Sequence, residues 1–151
     1  MEAKVSWEKE LIFTGMADSG YPVKLDSESS PETGVGPVEL VAIALAGCTA
    51  MDVISILTKK QEKVTSFDVN IKADRATVYP KVILDAVLDY VIVGRNINEE
   101  SLLRAIDLSV NKYCPVHAML EKVFPIELRY SIYEDEGDGK KRLVKQGTYR
   151  H

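Results

Sequence analysis

The apolar positions of the chain fall into blocks of different period. From Val38 to Leu57 almost every position is apolar, with Leu40, Ile43, Ala44, Gly47, Met51, Ile54 and Ile56 distributed around a helical wheel until Lys59-Lys60-Gln61-Glu62 breaks the run. This pattern predicts a long helix opened by Pro37, whose missing N–H suits the first helical position, with Gly36 as the cap and Glu39 in the first turn. A helix apolar on nearly all sides requires burial over most of its circumference. Its small residues, Ala42, Ala44, Ala46, Gly47 and Ala50, let a neighbouring element or a second subunit approach closely.

The remaining blocks read mainly as strands. Lys4–Trp7, Glu10–Thr14 and Tyr21–Leu25 carry β-type residues, with Gly15 and Asp18-Ser19-Gly20 as breaks, and predict a short meander. Asp26 to Gly36 is polar and rich in breakers, a loop long enough to be mobile or functional. Val64–Ala73 alternates through Phe67, Val69 and Ile71. Val82–Val93 alternates through Leu84, Val87 or Leu88, Val91 and Val93, and the two segments predict a long antiparallel pair ended at Gly94. Asn98 opens a second helix with Glu99-Glu100 in its first turn and Leu102, Leu103, Ile106 and Val110 on its inner face, stopping before Pro115. A short third helix from Pro115 to Lys122 and a strand Ile126–Tyr133 follow. This order is α+β, without the regular βαβ alternation of parallel sheets. The expectation is one domain over residues 1–134, with the charged, Gly-punctuated stretch 135–151 as a tail or late hairpin. Uncovered strand edges and apolar helix surface favour a homodimer.

Composition narrows the possible partners. A formal net charge of −4 and a pI near 5.3 argue against nucleic acid or an anionic membrane surface, both of which are held by dense Lys/Arg patches. The N-terminal residues lack the apolar core of a signal peptide, so the cytosol is the expected compartment. The run Val38–Leu57 has the length of a membrane span but carries Glu39 and Asp52, and a central acid costs about 2.5–3.5 kcal/mol there. A core helix is the better account.

The candidate chemistry lies in the only two cysteines. Cys48 sits inside the apolar helix, where burial alone would leave it inert, whereas Cys114 precedes Pro115, and a sulfur at a helix start beside Lys112 and His117 favours the thiolate. On these grounds Cys114 is the more nucleophilic. Their spacing matches no short metal or thioredoxin-like pattern, and His117 and His151 are too few for a zinc site or a triad. The residues alone leave two alternatives open: a dithiol redox pair, or two ordinary packed thiols.

The string Gly36-Pro37-Val38-Glu39-Leu40-Val41-Ala42-Ile43-Ala44-Leu45-Ala46-Gly47-Cys48-Thr49-Ala50-Met51-Asp52-Val53, with Tyr113-Cys114-Pro115-Val116 downstream, resembles the OsmC/Ohr family of osmotically inducible and organic hydroperoxide resistance proteins. The likeness spans about residues 1 to 134. The resemblance implies antiparallel sheets wrapped around a long buried central helix in an intertwined homodimer. It also implies a cysteine peroxidase using no metal, haem or flavin, whose substrate is an organic hydroperoxide and whose reductant is an external dithiol. By that resemblance Cys48 attacks the peroxide and Cys114 resolves the sulfenic acid, the reverse of the ranking from local chemistry.

One departure stands out. Family peroxidases use an N-terminal arginine held by a glutamate directly after the helix-opening proline. Here no arginine precedes Arg75, and Val38 follows Pro37. Glu39 comes one position later, turned about 100° around the helix, so it is a supporting residue or simply a dipole partner. Lys24 and Arg75 are candidate substitutes for the arginine. The rival readings are a small-molecule binding module of the same fold and a redox sensor.

Overall fold

The computed structural model describes residues 1–29 and 31–150, in two compact units, Met1–Ile43 and Ala44–His151. In the first, β1 (Ala3–Lys9), β2 (Ile12–Ala17) and β3 (Val23–Leu25) form an antiparallel sheet in that order. Gly15 does not break the chain as expected. It lies within β2, paired with Val5 on one side and Val23 on the other, and the reversal falls instead at Glu10, with φ of 47°. The polar segment that follows is organised around one carboxylate, although Ser30 lies outside the described residues. Asp26 accepts the backbone N–H groups of Ser27 at 2.6 Å, Glu32 at 2.9 Å and Thr33 at 3.0 Å. The segment returns alongside β3, where Gly34 is required: a Cβ there would fall 2.6 Å from the Lys24 carbonyl oxygen.

The central helix α1 runs Pro37–Lys59, close to the sequence expectation. Its start is a capping arrangement in which Glu39 Oε2 accepts the Gly36 N–H at 2.8 Å. Burial on α1 is narrower than its composition predicts. Leu45, Ala46, Thr49, Val53 and Leu57 form one buried stripe at helical spacing, whereas Ile43 and Met51 remain 54% and 74% exposed in the single chain. The wheel is apolar all round, but one chain covers only one side of it.

The second unit contains a four-stranded sheet, β4 (Lys63–Arg75), β5 (Ile83–Arg95), β6 (Ile126–Gly137) and β7 (Lys140–Tyr149), in that order. The long antiparallel β4–β5 pair matches the alternation read in the sequence. The phase of β5 differs: Ala86, Leu88, Tyr90 and Ile92 form the buried face, while Leu84 is 51% exposed and Val91 and Val93 point to the other side. Leu88 and Ile92 lie on one face and Val87, Val91 and Val93 on the other, so both faces are apolar and alternation alone did not select one.

The expected antiparallel pairing holds except at β5–β6, where it is corrected: these two strands run parallel. The connection between them is long enough for a crossover. It consists of α2 (Glu99–Leu108), a π-turn (Ser109–Tyr113) and α3 (Pro115–Leu120). Asn98 caps α2 by accepting the Ser101 N–H at 3.0 Å, as its position in the sequence suggested. Of the two possibilities left for the charged C-terminal stretch, the hairpin is what forms. β6 extends to Gly137, and β7 returns antiparallel to it. Leu45, Val53 and Leu57 of α1 join Leu88, Tyr90 and Ile92 of β5, Leu102 and Ile106 of α2, and Leu128 and Ile132 of β6 in one apolar cluster. This core fixes the positions of the site elements.

Candidate functional site

Three elements of the second unit meet around the two thiols. Helix α1 supplies Cys48 and, one turn on, Asp52. Residues at i and i+4 share a helix face, so the sulfur and the carboxylate are presented together. The connection after α2 supplies Ser109 and Cys114. These two bracket the π-turn, closed by the Cys114 N–H donating to the Ser109 carbonyl at 2.8 Å, a widened geometry that recurs at functional positions. Strand β5 supplies Tyr90 from its buried face.

The Sγ atoms of Cys48 and Cys114 and a carboxylate oxygen of Asp52 all lie within 4.8 Å of one another. Both thiols are free, with Cys48 half-buried and Cys114 buried. Ser109 Oγ donates to Asp52 Oδ2 at 2.9 Å and orients the carboxylate. Cys114 is the N-cap of α3, where its sulfur accepts the His117 N–H at 3.3 Å. His117 is itself buried, with Nδ1 3.7 Å from Glu121 Oε2.

The expectation that the helix start would activate Cys114 is overturned by desolvation. Burial pushes the Cys114 thiol up to about 12, and the neighbouring Cys48 adds to the rise, against smaller lowering by the backbone amides of His117 and Val116. None of these influences is a cation. Burial likewise pushes the Tyr90 phenol up to about 12; the Thr49 hydroxyl opposes this, and Cys114 and Asp52 add to it. Thr49 Oγ1 nevertheless donates to the Ala46 carbonyl at 3.2 Å, and the fully buried Tyr90 hydroxyl has no partner in hydrogen-bonding geometry among the described residues. An open groove of about 400 Å³, lined by Asp52, Ile56, Lys59, Lys60, Leu108 and Tyr113 among others, reaches the carboxylate from outside.

The other residues singled out in the sequence have different engagements. Glu39 closes the cap of α1 with Gly36, Lys24 pairs with Glu8 on the N-terminal sheet, and Arg75 Nε donates to the Lys81 carbonyl at 3.0 Å. Asp52, Ser109 and Tyr90 were not read as site residues from sequence. For Asp52 a signal existed in its i+4 spacing from Cys48. Ser109 and Tyr90 reach the site only through tertiary folding.

An α+β chain with two free thiols brought together between its central helix and a crossover connection is a recognisable class. The sequence pattern of the family described as OsmC-like protein matches residues 29–129. The chain is 35% identical over 132 residues to Protein YhfA of Escherichia coli K12, covering 87% of this chain and 98% of that one. The crystal structure of a hypothetical protein from Aquifex aeolicus superposes with a TM-score of 0.79 at 26% identity, covering 89% of this chain and 97% of that one. The organic hydroperoxide resistance protein OhrB of Bacillus subtilis shares the fold, with a TM-score of 0.57 at 12% identity over 86% of this chain and 98% of that one. The chain belongs to the OsmC-like family.

Proposed function

We propose that this protein is a cytosolic, homodimeric thiol peroxidase that reduces organic hydroperoxides through Cys48 and Cys114. The observation that carries the reading is the meeting of the two sulfurs, with the Asp52 carboxylate, within 4.8 Å despite their separation in sequence. The name of the OhrB structure supports the choice of substrate class.

Cys48 is the better attacking group, because it is only half-buried and the groove leads to its neighbour Asp52. Its thiolate attacks one peroxide oxygen. The O–O bond breaks, the sulfur becomes a sulfenic acid, and the alkoxide leaves as an alcohol after taking a proton. Cys114 then attacks the sulfenic sulfur. An S–S bond forms, the S–OH bond breaks, and the hydroxyl leaves as water with the Cys114 proton. An S–S bond is about 2.05 Å long, so bonding requires a closing movement of the side chains. An external dithiol returns the pair to the reduced state by exchange.

Dimer formation is supported by the apolar side chains that one chain leaves exposed. These are Val5, Trp7, Leu11 and Met16 in the N-terminal sheet region, and Ile43 and Met51 on α1.

The test is to treat the reduced protein with one equivalent of cumene hydroperoxide and measure its mass. The reading expects a loss of two hydrogens that maps to a Cys48–Cys114 link. With a dithiol present, the peroxide should be consumed continuously, and Cys48→Ser should abolish this. Reduced protein that leaves the peroxide unconsumed defeats the proposal.

A further inference from the structure

We propose that the reduced site binds a divalent zinc ion through Cys48, Cys114 and Asp52, with an open fourth position facing the Tyr90 hydroxyl. This inference rests on the arrangement of donor atoms and not on peroxide turnover. It replaces the metal-free expectation drawn from sequence, where the donor count considered histidines and short cysteine spacings.

Four observations converge on a metal. The donor set is two thiols and a carboxylate, the combination of soft sulfur and hard oxygen that suits zinc. Their ligating atoms lie within 4.8 Å of one another. Zn–S bonds of about 2.3 Å and Zn–O bonds of about 2.0–2.2 Å at tetrahedral angles put ligand atoms roughly 3.5–3.8 Å apart. Shifts of about an ångström, within the reach of side-chain rotation, therefore close the set around one ion.

The surroundings also match what metal ligands need. Ser109 donates to Asp52 Oδ2 and leaves the other carboxylate lone pairs available, while the His117 amide donates to the Cys114 sulfur. Such outer hydrogen bonds fix the orientation of metal ligands. The Tyr90 hydroxyl is fully buried beside these groups and has no partner in hydrogen-bonding geometry among the described residues. A water on the fourth zinc position would donate to that hydroxyl's oxygen. Three protein ligands plus an exchangeable water is the arrangement of zinc sites that stay open to small molecules.

The groove lined by Asp52, Leu108 and Tyr113 gives the ion a route inward.

The experiment titrates zinc into the full-length reduced protein against a chromogenic chelator, with a parallel cobalt(II) titration read by absorption. The expected result is one ion per chain, with a thiolate-to-cobalt charge-transfer band and the intense visible bands of four-coordinate cobalt. Cys48→Ser and Cys114→Ser should each abolish tight binding, Asp52→Asn should weaken it, and Tyr90→Phe should weaken it about tenfold. Protein carrying a Cys48–Cys114 disulfide should not bind. Circular dichroism on each variant separates loss of a ligand from loss of fold, and the wild-type cobalt spectrum stands whatever the variants do. A failure to compete with the chelator, a six-coordinate cobalt spectrum, or an Asp52→Asn protein that folds and binds as tightly as wild type overturns the proposal. Peroxide consumption is measured on zinc-free protein, because an ion held by both sulfurs would withhold the Cys48 nucleophile, so failure of the peroxidase reading and failure of the zinc site are told apart.

Discussion

Asp26 and Cys114 are both buried, yet their ionisation is pushed in opposite directions, and the difference lies in what touches them. Three backbone N–H groups, from Glu32, Thr33 and Ser27, hold the Asp26 carboxyl at about 2, below its ordinary 3.8. Through this window the unfolded chain binds the proton more readily than the folded one. Stability from Asp26 is therefore complete above about pH 4 and is lost as the pH falls toward about 2. Protection of the Glu32 and Thr33 amides from exchange, relative to the unfolded chain at the same pH, should fall over that interval, and Asp26→Asn should remove the acid-dependent step. Cys114 receives fewer favourable contacts and is 2% exposed, so its thiol resists ionisation. Brief alkylation of the reduced protein near pH 8 should modify Cys48 well before Cys114, as peptide mass mapping would detect. Equal labelling would contradict the assignment of roles in the thiol pair.

At the scale of elements, the hairpin made by the C-terminal strand is integral to the second unit. Tyr149 Oη donates to Asp107 Oδ1 on α2 at 2.7 Å, and Tyr130 Oη donates to Glu99 Oε1 at the start of the same helix at 2.5 Å. Gly147 makes room for that tyrosine, since a Cβ there would lie 2.7 Å from its hydroxyl oxygen. Gly147→Val should destabilise the protein by about 1–3 kcal/mol in urea unfolding, the range for an overfilled site. Local grammar revealed the elements whose signals are local. Pro37 and Glu39 marked the start of α1, Asn98 marked that of α2, and Pro115 marked the break after Cys114. It did not reveal the parallel β5–β6 pairing or the buried phase of β5, because the valines on one face are as apolar as the leucine and isoleucine on the other and the pairing depends on distant strands. The thiol pair was found through family resemblance. Asp52 was legible as an i+4 neighbour, whereas Tyr90 acquires its position only when β5 packs against the core.

At the scale of the whole molecule, the proposed dimer is tested at the apolar side chains left exposed on α1, Met51 among them. Met51→Glu places a charge on that surface and should shift the mass measured by sedimentation from dimer to monomer. A wild-type protein that sediments as a monomer would remove the basis for the dimer. The proximity of Cys48 and Cys114 has a mechanical consequence beyond chemistry. A bond between them would tether the central helix to the crossover segment and shorten the reach of the denatured polymer. For a loop of this length the lost chain entropy corresponds to about 4 kcal/mol. Oxidised protein should accordingly melt at a higher temperature than reduced protein, and its thermal midpoint would report the redox poise of its surroundings.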